Sequence, residues 1–175
     1  MNRYCLLSAV TALTGLLASC TSGMRLLDFP FDPGGRSLNS LASELNPQVS
    51  GRYIVFISDR RGSLDVFLYD ANTRDLIDLP GLNSLDAIAS RPAVTEDGNT
   101  IIFAAIRRGR SGIYLYNRGT FQLRNITENL QAEVRNPTIS ADGSTIAYES
   151  SQSGRWEVVV CDRSGKPLNL PTSMP

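Results

Sequence analysis

Six arginines recur around one point of the chain's internal pattern: Arg60, Arg61, Arg107, Arg108, Arg110 and Arg155. A guanidinium is a planar fork of donors that matches carboxylates and phosphates. Six of them on one face would hold an acidic protein segment or an anionic polymer. The plainer reading is a set of solvated turns paired with Asp59, Asp65 and other carboxylates, each exposed pair contributing about 0–1 kcal/mol. Asp86, Glu128 and Glu133 fall on the same side and dilute the field. Trp156, the single Trp, follows Arg155 directly. A lone exposed aromatic can anchor a protein partner; the competing reading packs it on its own sheet.

Several chemistries are excluded by composition. The chain has no His, which removes Ser–His and Cys–His nucleophile pairs and His-ligated metals. It also removes the usual general base near neutral pH. No nucleophile elbow, phosphate-cradling Gly loop or catalytic carboxylate pair stands out. Asp59 and Asp65 in "SDRRGSLD" lack the oxygen spacing of a calcium loop, and "DPGG" at 32–35 reads as a turn. No catalytic residue, metal ligand or cofactor site is therefore expected, and an enzyme would have to work through carboxylates or Tyr. With 17 basic and 17 acidic side chains, no general attraction to nucleic acid is expected either. The basic set is sixteen Arg and one Lys, Lys166.

The elements that carry these residues repeat. Pro47, Pro92 and Pro137 stand 45 residues apart, and each leads to a strand ending in an aromatic, Phe56, Phe103 or Tyr148. Six residues later comes Gly62, Gly109 or Gly154, and then "VFLY", "IYLY" or "VVVC". Asp70, Asn117 or Asp162 follows, then a turn and "LIDL", "LRNI" or "PLNL". The runs "YIVFI", "TIIFAAI" and "EVVVC" have β-branched and aromatic character and no helical apolar stripe. Asp-Gly at 97–98 and 142–143 marks tight turns, shortened to Ser50-Gly51 in the first copy. Four strands are expected per copy, in the first at Pro47–Ser50, Tyr53–Ser58, Asp65–Tyr69 and about Arg74–Leu79. Four antiparallel strands per unit of about 45 residues is the pattern of a β-propeller blade. The turns between second and third strands, which bear the six arginines, then share one face.

At "NPTISADGSTIAYESSQSGRWEVVVCD" the repeat resembles that of the TolB-like propellers. The likeness covers about residues 46–171. It implies an all-β partial β-propeller of three four-stranded antiparallel blades, 46–84, 91–130 and 136–171. The same repeat occurs in periplasmic TolB proteins of the Tol–Pal envelope system and in propellers of prolyl-oligopeptidase-type peptidases. The resemblance thus implies protein–protein contact at the propeller, with a carbohydrate- or polymer-processing enzyme, or a ring-completing assembly subunit, as alternatives. Closed propellers carry about 4–8 blades, so three leave open edges. Two chains could join as half-rings of a six-bladed homodimer. Alternatively the chain is a monomeric arc whose end is covered by residues 24–45, with Gly35–Ser40 as an extra edge strand.

The N-terminus supplies an address. Arg3 precedes an apolar stretch, Cys5–Ala18, too short for a comfortable bilayer span and suited to a signal peptide. "LASC" at 17–20 resembles the bacterial lipobox, which implies lipid on Cys20 and an exported, membrane-anchored chain at the periplasmic face, with Thr21 leaning toward the outer membrane. Residues 1–20 are then the signal, 21–45 a tether and edge strand, and 46–175 the blades. The expected partners are the membrane, through the lipid, and envelope proteins. Cys161 remains as a lone thiol, expected in the core.

Overall fold

The computed structural model describes residues 35–168; the readings on the signal peptide, Cys20 and the tether up to residue 34 lie outside the described residues. Eleven strands and no helix occur among those described. The first sheet runs in order β1 (Glu44–Ser50), β2 (Tyr53–Ser58), β3 (Asp65–Asp70) and β4 (Asp75–Ile77). The second runs β5 (Ala87–Val94), β6 (Thr100–Arg107), β7 (Arg110–Asn117) and β8 (Gln122–Asn125). The third holds β9 (Val134–Ile139), β10 (Ile146–Ser150) and β11 (Glu157–Cys161). All pairings are antiparallel between sequence neighbours, so each sheet is a simple up-and-down meander. The first strands lie side by side, β5 against both β1 and β9. They form the inner rim of an arc, and the fourth strands form its outer rim. This is a partial propeller of three blades.

The third blade differs from expectation at its fourth strand. Cys161 and Pro167 form a single antiparallel bridge, and Leu168 N–H donates to the Val160 carbonyl at 2.9 Å. Pairing starts there as in the other blades, and the next residues lie outside the described range. A second difference concerns the prolines. Pro47 does not open β1; the strand begins at Glu44, and Pro47 sits inside it at a register shift between Leu45 and Gln48. The same shift falls at Pro92 and Pro137. The residue before each Pro, Asn46, Arg91 or Asn136, has φ of 49°, 50° or 51°. Asn tolerates this left-handed region better than most residues. A bulge is one of the few places in a sheet where a residue without N–H fits. Side chains of blade one also serve the second bulge: Asn46 Oδ1 accepts from Arg91 N–H at 3.3 Å and Gln48 Oε1 from Val94 N–H at 3.0 Å.

The apolar runs are explained by burial on both faces. All of Thr100–Ala105 in β6 are buried, because blade two is packed on either side. One face, with Ile101, Phe103 and Tyr116, meets Val55, Ile57, Val66 and Leu68 of blade one. The other, with Ile102, Ala104, Ile113 and Leu115, meets Ile146, Tyr148 and Cys161 of blade three. Each fully buried Ile or Leu contributes about 1.5–3 kcal/mol by leaving water. The Asp-Gly turn of blade two is held against blade one: Gly98 has φ 68°, and a Cβ there would lie 2.5 Å from the Tyr53 ring. Only Gly serves both the turn and that approach.

Candidate functional site

The turns between second and third strands emerge at one end of the arc because the blades are antiparallel meanders. Their side chains fare differently. In blade one, Arg60 is turned inward, with its side chain 6% exposed, and pairs with Glu44 at 2.7 Å. Its guanidinium donates to the carbonyls of Gly35, Ser37 and Leu38 and lies 5.2 and 5.0 Å from the Phe56 and Phe67 ring centroids. Arg61 is exposed, 5.1 Å from the Phe67 centroid. Asp59 and Asp65, the expected partners, are engaged elsewhere: Asp59 accepts from Ser43 N–H at 2.8 Å and Asp65 from the Ser63 hydroxyl at 2.9 Å. No group of His, Cys, Asp and Glu suited to a metal occurs among the described residues.

In blade two, Arg108-Gly109 forms a two-residue hairpin turn with φ of 51° and 76°, the left-handed pair such turns need. The turn sets Arg107 and Arg110 opposite each other. Arg107 pairs with Asp86 at 2.8 Å, and Arg108, 85% exposed, reaches the same carboxylate at 3.9 Å. The Arg107 hydrogen bond, followed by that from Ser84, holds Asp86 down to about 2. Arg110 is exposed and makes no ion pair among the described residues. In blade three, Arg155 pairs with Glu157 at 2.7 Å. The six guanidinium groups therefore do not form one cationic field. Arg60 belongs to the interior, Arg61 lies exposed beside the Phe67 ring, Arg107 and Arg155 are neutralised locally, Arg108 reaches Asp86 only at 3.9 Å, and Arg110 stays open on blade two.

The concave feature on this face lies between blades two and three. A groove of about 840 Å³ is lined by Ala104, Ile106, Arg110, Glu133, Arg135 and Trp156, among others. A smaller recess of about 410 Å³ adjoins it along Arg107, Arg108, Tyr114 and Glu128, and Arg110 borders both. Local bonds fix the walls. The Ser111 hydroxyl accepts from Val134 N–H at 2.9 Å, tying β7 to β9. Glu133 is pinned through its backbone to Ser151 at 3.1 and 3.0 Å, leaving its carboxylate exposed. Trp156, 40% exposed, carries the Arg135 guanidinium 3.8 Å above its ring. Arg135 in turn bonds Glu149 at 2.6 Å. The bond from Asn136, then that from Arg135, holds the Glu149 carboxyl below its ordinary range. The result is a partly apolar trough with an amphipathic Trp on one wall and a free Arg on the other.

Arg135 and Glu133 are absent from the sequence-derived candidates. A signal existed: Arg135 takes the repeat position held by Leu45 and Ser90, a charge on an inner strand where the other copies have none. Cys161 is buried as expected, and burial pushes its thiol up to about 11. It is inert as a nucleophile at neutral pH.

These titrations define a pH profile. Asp86, Asp142 and Glu149 have lowered folded-state values, from hydrogen bonds to Arg107, to Ser140 and to Asn136 in turn. Their stabilisation is present above the unfolded value of about 4 and is lost as pH falls through the folded value. Cys161 works oppositely, its contribution fading as pH rises toward 11. With no His in the chain, thermal unfolding should give a melting temperature nearly flat from pH 5 to 8 and falling between about pH 4 and 2. A steep slope between pH 6 and 7 would contradict this.

No family model matches the chain, and no curated protein matches it. Solved structures do. TolB from Acinetobacter baumannii is 21% identical with a TM-score of 0.57, over 78% of this chain and 34% of that one. The putative TolB from Agrobacterium tumefaciens is 18% identical with a TM-score of 0.55, over 69% and 43%. The β-propeller domain of the trilobed protease from Pyrococcus furiosus, described as having an open velcro topology, is 15% identical with a TM-score of 0.52, over 73% and 42%. The chain thus spans 34–43% of the length of these neighbours. At such identities the likeness carries the fold alone: a TolB-like β-propeller, present here as three blades.

Proposed function

We propose that the chain is a non-catalytic protein-binding scaffold of the cell envelope, held to a membrane by lipid on Cys20, whose partner docks in the groove between blades two and three. The carrying observation is that groove, with Trp156 and the unpaired Arg110 on opposite walls. Aromatic and Arg side chains at the centre of a concave patch are the usual anchors of protein interfaces. The same fold serves as the propeller of a protease, so the choice between scaffold and enzyme rests on side chains. The absence of His and the burial of Cys161 remove Ser–His and Cys–His hydrolase chemistry, which favours the scaffold.

Capture of partners from envelope fractions by the lipidated chain tests this reading. Trp156→Ala should weaken capture about 30-fold, the cost of a hot-spot truncation of ~2 kcal/mol, and Arg110→Ala should weaken it further. Ser164→Ala, at the opposite end of blade three, should leave it unchanged. Undiminished capture by the Trp156→Ala/Arg110→Ala double variant would overturn the assignment.

A further inference from the structure

The repeat makes the two ends of the arc comparable residue by residue. Blade two receives blade one with Ile101, Phe103, Tyr114, Tyr116 and Leu123. The same positions in blade one are Ile54, Phe56, Phe67, Tyr69 and Leu76. Even the stacked aromatic pair is kept: Phe56–Phe67 and Phe103–Tyr114 both have centroids 5.7 Å apart. Blade one therefore carries an intact blade-receiving face at the end of the arc, where no blade precedes it among the described residues.

That face is covered by the chain's own residues 35–43. Leu38 packs on Phe56, Phe67 and Leu76. Arg60 holds the segment by donating to Ser37 and Leu38 carbonyls at 2.8 and 2.9 Å. Arg36 clamps the outer rim through Asp75 at 2.9 Å, Asp78 at 3.2 Å and the Leu76 carbonyl. The cover is not a strand. One backbone bond joins it to the sheet, Leu76 N–H to the Arg36 carbonyl at 3.1 Å. Ile54 and Tyr69 stay half-buried beneath it. The extra edge strand expected at Gly35–Ser40 is thus a polar strap with one apolar tooth.

The far end of the arc presents the complementary surface. Blades one and two donate Val55, Ile57, Val66 and Leu68, or Ile102, Ala104, Ile113 and Leu115. Blade three has Ala147, Glu149, Val158 and Val160 there, and Val158 is 71% exposed. The charge in that set, Glu149, now bonded by Arg135, is opposite in sign to the cations beside the receiving face, Arg60 and Arg61. With the strap gone, Arg60 would regain the donors now spent on three strap carbonyls. Two arcs joined this way bury both ends in identical contacts, close under twofold symmetry, and give six blades, inside the range of about 4–8 that seals a ring.

We propose that residues 35–43 are a stopper on a blade-docking face whose partner is blade three of a second copy: monomer with the strap seated, six-bladed ring of two chains with it displaced. The inference goes beyond the scaffold reading and does not depend on the groove. It is tested with the full chain in membranes, carrying Ile54→Cys and Val158→Cys at opposite ends of the arc and treated with a short bismaleimide. The native strap should give almost only monomer on a denaturing gel. Releasing it with Leu38→Asp and Arg36→Ala, which spare both sheet faces, should raise the covalent dimer at least tenfold, and Glu149→Lys should abolish the gain. Monomer alone from a released-strap chain that keeps its β-sheet circular dichroism, or equal dimer with the native strap, would overturn the proposal. If the double release unfolds the chain, Arg36→Ala alone serves: a dimer fraction above native supports the stopper, and none overturns it. Loss of partner capture by Trp156→Ala is a separate readout, so the two readings fail independently.

Discussion

Arg60→Ala is expected to be the most destabilising single change at a charged position, by about 3–5 kcal/mol. The guanidinium is 6% exposed and faces Glu44, itself 18% exposed, at 2.7 Å. Truncation leaves that carboxylate in a poorly hydrated place without its counter-charge. It also strips donors from the Gly35, Ser37 and Leu38 carbonyls and the Ser58 hydroxyl, and it uncovers the rings of Phe56 and Phe67. Lys does not rescue, because one ammonium cannot span a fork of carbonyls and a carboxylate together. For a chain of this size the melting temperature should drop by roughly 10 °C. Arg155→Ala, whose ion pair is 80% and 44% exposed, should change it by little. A drop of under 2 °C for Arg60→Ala would mean the clamp is not what holds the strap.

Tyr116→Ala should cost a similar amount, about 3–5 kcal/mol. Tyr116 is fully buried between blades one and two. Its hydroxyl donates to the Pro80 carbonyl at 2.8 Å, in the connection leaving blade one. Burial lifts its phenol above the ordinary range, as expected where the ionised form is desolvated. Two losses combine on truncation: a large cavity at the blade interface, and an unpaired carbonyl. Tyr116→Phe separates them, keeping the ring and losing only the bond, for about 1 kcal/mol. Urea unfolding of the pair measures both. Equal costs for the two variants would show that packing at this interface contributes nothing.

The three blades were legible because their landmarks are spaced by turn chemistry and by period-two strands. β2 runs Tyr53–Ser58, as its residues predict, and "TIIFAAI" is a strand buried on both sides from Thr100 to Ala105. The bulges were not legible. A Pro in a strand is compatible with an end or a bulge, and only register between neighbours decides. The arginines were legible as a repeat feature but not by role. Arg60, Arg107 and Arg155 occupy similar turns, yet their fates depend on Glu44, Asp86 and Glu157, and the first of these lies on another strand. The strap is half legible: three blades leave an open end that residues 24–45 are one candidate to cover, while the packing of Leu38 on Phe56 and Phe67 depends on long-range contacts that no local pattern encodes. The groove depends on two blades at once, so the odd charge at Arg135 marks a departure from the other copies without showing that it borders a groove.

The scaffold account turns on which end of the arc meets a partner. Photo-reactive residues placed singly at 110 and 156 on the groove face, and at 120 and 164 on the opposite turns, decide it in intact envelopes. The account predicts strong, specific adducts from 110 and 156 and background from 120 and 164. Adducts from 120 or 164 with silence at 110 and 156 would contradict it.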